Sequence, residues 1–312
     1  TMSTRSRGRS FLAVLFAGAL VLGACGRDDG DETATTEPDD PSGTTETTEG
    51  DGEPGELTAG PGFDGETIRL GVITPETGIA AAIGGPLTAG NQVYWDRINA
   101  EGGVAGQYQV ELVVRDSEYI PDTGGQQYNG IKDAAVMIQQ VLGTPVTEAL
   151  VPLLEDDEIL AGPASLDAFW VRDPYLMPIG APYQIQAINA LSYAIDNLDA
   201  EDATLCSVTK DDDYGQTGLD GLEFGADAFG LDIAVSVEFR QGDQVFSSQI
   251  EALMGADCDI VWINALPTET IPILTEAVTR DFAPTWLGQS PTWVNALGGS
   301  DLAPYLEENF LL

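Results

Sequence analysis

From residue 66 onward the chain alternates short apolar runs with segments of helical periodicity, and this alternation constrains the fold more than any other feature. The run at 68–73 (IRLGVI) reads as a strand. Leu87, Gly90, Tyr94 and Ile98 then recur at helical spacing and stop at Gly102-Gly103, a natural helix end. Further strands are expected at 108–114, 136–142, 159–163 and 176–180, with helices at 122–133 and 147–156. Strands and helices in that order build a mainly parallel sheet covered by helices. A longer helix at 184–198, with Ile185, Ile188, Leu191, Ile195 and Leu198 at its spacing, opens a second array. Its strands are expected at 203–208, 232–239, 259–264 and 284–287, and its helices at 215–229, 245–255 and 268–280. Leu219, Leu222, Ala226 and Phe229 predict a buried stripe on the first of these helices. The fold class is therefore α/β, with two open parallel-sheet lobes in tandem, 66–182 and 183–312. Open α/β sheets bind ligands beyond the carboxyl ends of their strands, and clefts between domains are favoured sites.

The segment before this array carries no core. Arg5, Arg7 and Arg9 form a positive start, and 11–22 is an apolar run of twelve residues, too short for a comfortable membrane span. It ends in Leu22-Gly23-Ala24-Cys25, which resembles the bacterial lipobox, cut before the cysteine so that the thiol of Cys25 is acylated. An ordinary secretory signal and a simple N-terminal anchor are the alternatives. Residues 25–65 are almost entirely Asp, Glu, Thr, Gly and Pro, a composition that extends as a spacer and cannot offset its ordering entropy by burial. The expected organisation is a lipoprotein signal peptide over 1–24, an acidic linker over 25–65, and then the two lobes.

Composition excludes several function classes. There are 51 acidic residues against 12 Lys and Arg, for a formal net charge of -39. No basic footprint exists for nucleic acid. The chain has no histidine, which removes Ser-His-Asp and Cys-His catalysis and the commonest transition-metal ligand. Gly60-Pro61-Gly62-Phe63-Asp64-Gly65 matches the dinucleotide fingerprint by letter, but it precedes the first strand instead of joining a strand to a helix, so a linker glycine cluster is expected. The acidic stretch Asp211-Asp212-Asp213-Tyr214-Gly215 fails the calcium-loop pattern, because Gln216 stands where the loop glycine belongs and Leu222 where the glutamate belongs. It reads instead as a strand-end turn whose acids cap the following helix. Cys206 lies in the first strand of the second lobe and Cys258 at the start of the third. Doubly wound sheets often place those strands side by side, which allows a disulfide; two buried thiols are the alternative. No cofactor and no metal site are expected.

The order of motifs resembles the type I periplasmic binding proteins of the Leu/Ile/Val-binding group, the solute receptors of ABC importers. The matching stretches are 71–84 (GVITPETGIAAAIG), 98–106 (INAEGGVAG), 141–147 (VLGTPVT), 160–165 (LAGPAS), 211–215 (DDDYG), 246–250 (FSSQI) and 286–290 (WLGQS). The resemblance implies a Venus-flytrap fold whose lobes close on a small solute and are read by permease and ATPase subunits. The chain stops at Asn309-Phe310-Leu311-Leu312, about where a second crossover would begin, so the family's C-terminal elements are expected to be missing. The first crossover is placed at Ala181-Pro182-Tyr183.

The same resemblance implies the site. In the first lobe Thr77, Gly78, Ile83 and Tyr119 would line it, with Thr144, Pro145 and Thr147 at a helix start and Ser165 completing a patch for a carboxylate or carbonyl oxygen. In the second lobe Tyr214, Asn264, Gln289 and Ser290 would face the same cleft. Gln289 and Ser290 stand where amino-acid binders of the group often place a carboxylate for the ammonium. Either Glu118, Asp213 or Glu269 supplies that charge, or the solute is an amide, a urea-like compound or a carboxylate. The expected protein is a monomeric, lipid-anchored, extracytoplasmic solute-binding protein and not an enzyme; a ligand-sensing domain is the alternative.

Overall fold

A computed structural model describes residues 57–312 of the chain. The expected signal peptide, Cys25 and most of the expected acidic linker lie outside the described residues. Within them, β1 (Thr67–Thr74), α1 (Ala81–Ala100), β2 (Gln109–Asp116), α2 (Pro121–Ile131), β3 (Met137–Val141), α3 (Thr144–Asp157) and β4 (Ala161–Pro163) build the first lobe. All its strand pairs are parallel, in the order β2-β1-β3-β4. The expected strand at 176–180 is reduced to a bridge between Leu176 and Ala161. Gly60–Gly65 forms a tight turn bridged to Ile68 through Phe63, and a Cβ on Gly62 would stand 2.2 Å from the Val136 nitrogen, so this glycine is docked on the lobe.

The second lobe contains α4 (Tyr183–Leu198), β5 (Leu205–Lys210), α5 (Asp213–Phe229), β6 (Ile233–Phe239), α6 (Ser247–Gly255), β7 (Ile260–Asn264), α7 (Pro267–Thr279), β8 (Thr285–Gly288), α8 (Ala303–Asn309) and β9 (Phe310–Leu311). Its parallel order is β6-β5-β7-β8-β9. Residues 310–311, expected to open a crossover, instead pair with Trp286 and Leu287 as a fifth strand. The β5–β7 adjacency brings Cys206 and Cys258 together, and they form a disulfide.

Both expected helical stripes of this lobe exist but are rotated. The buried face of α5 is made by Gly218, Gly221, Leu222, Gly225 and Ala226, while Phe229 is exposed. Its glycines let α4 approach closely: a Cβ on Gly221 would meet the Gln184 carbonyl oxygen at 2.5 Å. On α4 the buried residues are Tyr183, Ala187, Leu191 and Ala194, with Ile185 and Leu198 turned outward. In α1 the buried positions are Gly84 and Thr88, and Leu87 and Tyr94 are exposed. Small residues, which a search for large apolar side chains passes over, mark the packed faces.

Alternation along β7 sorts two cores. Ile260 and Trp262 pack with Leu222, Ala226 and Leu287 under α4 and α5. Val261 and Ile263 pack with the disulfide, Phe239 and Trp286 under α6 and α7. A smaller cluster of Ala80, Tyr119, Leu142, Tyr183, Tyr214 and Leu266 joins the two lobes at their strand ends.

Candidate functional site

The lobes meet over a chamber of about 60 Å³. Ile83, Leu87, Tyr119, Leu142, Gly143, Thr144, Ala164 and Ser165 line it from the first lobe, and Tyr183, Tyr214, Leu266 and Pro291 from the second. No charged side chain is among these residues. The volume is about that of two waters by their share of the liquid.

The hydroxyl-bearing corner comes from α3. Pro145 in the first turn holds the helix start, and a left-handed Gly143 (φ 110°) turns the chain into it. A Cβ on Gly143 would lie 2.8 Å from the Tyr119 ring, so glycine here makes room for that ring. Thr144 is 1% exposed, and its Oγ1 has no hydrogen-bond partner. Behind it the Thr147 hydroxyl bonds the Gly143 carbonyl at 2.9 Å and lies 3.3 Å from Ser165 Oγ, which accepts from Trp170 Nε1 at 3.0 Å. Helix α3 begins three residues earlier than its apolar spacing predicts, because the Gly-Thr-Pro start belongs to the helix.

Tyr119 and Tyr214 supply walls from opposite lobes. Tyr214 meets Tyr183 edge to face at 5.3 Å, and its hydroxyl donates to the Ala265 carbonyl at 3.3 Å. Burial pushes the Tyr119, Tyr183 and Tyr214 phenols above their ordinary value, so all three keep their protons at neutral pH. Asp212 caps α5 as expected, with Oδ1 accepting from the Gly215 nitrogen at 3.0 Å.

The other expected contacts do not reach the chamber. The Thr77 hydroxyl donates to Asp116 at 2.6 Å, and Gly78 packs against Glu118. Burial pushes the Asp116 carboxyl up, but bonds from the Thr77 hydroxyl and from the Glu118, Thr77 and Glu76 amides outweigh it and leave the acid stronger than usual. Pro145 and Thr147 sit behind the wall. Asn264 and Gln289 fall on the face of the sheet that lies under α5, where strand alternation sends them with Trp262 and Leu287. The Asn264 amide holds the Tyr214 carbonyl at 3.1 Å; its Oδ1, Trp262 Nε1 and both Gln289 amide atoms are buried without partners. The Ser290 nitrogen is bonded to Gln186, and the residue opens on a separate groove of about 690 Å³ beside α4 and β9.

Two charged residues stand just behind the chamber. Lys210 is buried, paired with Asp212 and packed over the Tyr119 ring. Glu269, 1% exposed, accepts from the Leu266 nitrogen through Oε2 at 3.0 Å, and its Oε1 has no partner. Burial raises this carboxyl to about 7, with Lys210 pulling the other way. Glu269 stood among the possible charge partners in the sequence. Lys210 did not, and its signal is a lysine ending an otherwise uncharged, buried strand.

Two α/β lobes thus meet at their strand ends over a small chamber. Residues 67–306 match the family described as periplasmic binding protein, and the chain belongs to that family. It is 25% identical over 210 residues to a Leu/Ile/Val-binding protein from Rhizobium johnstonii, covering 65% of this chain and 55% of the relative. Its structure is similar to that of a fatty acid ABC transporter substrate-binding protein from Thermomonospora curvata (TM-score 0.76, 26% identity, 81% of this chain and 65% of that one). It also resembles a leucine-binding protein from Thermotoga maritima (TM-score 0.66, 21% identity, 74% and 66%). The chain thus spans between 55% and 66% of the length of these relatives.

Proposed function

We propose that this protein captures a small apolar monocarboxylate between its lobes and delivers it to an ABC importer. The observation that carries this is Thr144 Oγ1, buried and unpartnered at the start of a 14-residue helix, in a chamber wall without charged side chains. A helix start with a free hydroxyl suits an anionic oxygen. The protonated Tyr119 and Tyr183 phenols add donors, Tyr214 spending its own on the Ala265 carbonyl, and Ile83, Leu142 and Leu266 suit an apolar body. A solute ammonium would meet no charge partner on this wall and would be desolvated at a cost. The relatives named for leucine, isoleucine and valine and for a fatty acid share this pairing of a carboxylate with an apolar body. We place the protein, as a monomer with Cys25 as its lipid anchor, on the extracytoplasmic side of the membrane, where such capture would occur.

The test is thermal-shift and calorimetric titration with butyrate, octanoate and benzoate against leucine, valine and the matching amides. Stabilisation follows ligand mass action. The carboxylates are expected to raise the melting temperature and the amides to leave it unchanged, with Thr144→Val weakening the carboxylates. A response confined to leucine and valine would overturn the reading.

A further inference from the structure

The cleft contains a contact that belongs to the protein alone. Lys210 ends β5, a central strand of the second lobe, and its side chain is 0% exposed. Its ammonium pairs with the Asp212 carboxylate and donates to Gln241 at 3.3 Å, both in its own lobe. The remaining direction points across the cleft, where Nζ lies 5.0 Å from the centroid of the Tyr119 ring of the first lobe. That is within cation–π range, and both groups are buried, the setting in which such a contact is strongest.

Tyr119 is held out to meet it. Glu118 and Tyr119 both have positive φ, 54° and 63°. Non-glycine residues keep that conformation where the surroundings over-determine it, and such positions gather at ligand clamps. Here Asp116 accepts from the Glu118 nitrogen at 2.9 Å while binding the Thr77 hydroxyl, and Gly78 lies so close to Glu118 that a Cβ would stand 2.8 Å from its carbonyl oxygen. Gly143 leaves space for the ring. Four residues of the first lobe thus fix one aromatic face at the lobe boundary. A lysine with two partners in its own lobe presents its third side to that face.

We propose that Lys210 and Tyr119 form a latch across the cleft, which holds the lobes together through the protein's own contacts, and that Lys210 is a positioning residue for the Tyr119 wall of the chamber. Parting the lobes returns the third side of the ammonium to water and leaves Asp212 and Gln241 in place, so the latch opens without stranding a charge. Thr268, whose hydroxyl donates to the Ile79 carbonyl at 3.2 Å, is a second cross-lobe contact that removal of Lys210 leaves intact. The inference does not depend on the chemistry of the solute.

Distance measurement by pulsed electron resonance, with no solute added, tests it. Ketone-linked nitroxides at the exposed positions Gln126 in α2 and Glu251 in α6 leave the cysteines untouched. The unsubstituted lobes are expected to show a dominant short distance. Lys210→Met and Tyr119→Leu are each expected to raise the ratio of long to short distances by between about twofold and thirtyfold, the span of cation–π strengths. The double variant is expected to go no further than either single one, and Lys210→Arg to keep the short distance. Tyr119→Leu reads the same contact from the other lobe should Lys210→Met fail to fold. A distribution that starts wholly long, is unmoved by both single changes, or shifts additively in the double variant would overturn the latch.

Discussion

Glu269→Gln separates the charge of this buried acid from its shape. In the folded chain the carboxyl titrates at about 7 against an ordinary 4.5, burial being the main cause. Between those values the native state holds a proton that the unfolded chain has released. Stability therefore falls as pH rises through this window. At 1.36 kcal/mol per pH unit, the full effect above pH 7 is about 3 kcal/mol. Glutamine keeps an oxygen for the Leu266 nitrogen and never ionises. Urea unfolding of both proteins at pH 5, 6.5 and 8.5 should then show the variant gaining stability over the parent as pH rises, by about 3 kcal/mol across the window. Other titrating groups, including the strengthened acid Asp116, act on both proteins alike and cancel in the difference. A parent-to-variant difference that is flat with pH would mean that Glu269 is solvated, and the reading of a dry, charge-poor cleft would fall with it.

Replacing both Cys206 and Cys258 by serine opens a loop with a sequence separation of 52, and chain-entropy arithmetic puts the loss at about 4 kcal/mol, measurable as a lower urea midpoint against the oxidised parent. Gly218→Ala places a Cβ 2.2 Å from Asn264 Nδ2 and 2.4 Å from Gln289 Oε1; overpacking of about 1–3 kcal/mol is expected from thermal unfolding, with weaker solute binding because Asn264 holds the Tyr214 backbone. Asp116→Asn removes an acceptor serving the Thr77 hydroxyl and three amides, at a cost of about 1–3 kcal/mol. Because Asp116 titrates below its usual value in the fold, its contribution is present at neutral pH and lost as pH falls through the folded pKa, so the variant's deficit should shrink in acid. Octanoate affinity measured by calorimetry should weaken from pH 6 to pH 8 in the parent and stay level in Glu269→Gln.

The lobes were legible in the sequence because alternation of strand and helix is written in apolar spacing. Even the neighbouring placement of Cys206 and Cys258 follows from the strand order of doubly wound sheets. Helix faces were less legible, since α5 packs through Gly218, Gly221 and Gly225, residues that carry no apolar signal of their own. Of the candidate contacts, those in loops after strands (Tyr119, Ser165) and in the first turns of the helices that follow (Ile83, Thr144, Tyr214) reach the chamber. Asn264 and Gln289 do not, because the two-residue period of β7 and β8 sends them under α5. The left-handed backbone of Glu118 and Tyr119 has no glycine to announce it, and the depth of Lys210 depends on which strand becomes central.

On the proposed reading, the wall of the chamber and the layer behind it divide the work of recognition. The wall, all apolar groups and hydroxyls, sets shape and places hydrogen-bond donors. Charge sits one layer back, in Lys210, Asp212 and Glu269, where it acts through a ring or a backbone turn. At an effective dielectric of about 20, rather than that of water, a charge one residue layer away still acts on a solute carboxylate. Lys210 and Asp212 pair with each other, and Glu269 is the acid of this layer whose burial brings its titration close to neutral pH. Protonated, it withholds one negative charge from a layer that Asp213 and Asp243 already make acidic, and on that reading a carboxylate is then disfavoured less. Ionised, it adds one negative charge that disfavours a carboxylate and favours a cation. On the proposed reading the closed chamber would shift its preference for solute charge through one acid that lies behind its wall, which ties the protonation of Glu269 to the geometry of Thr144.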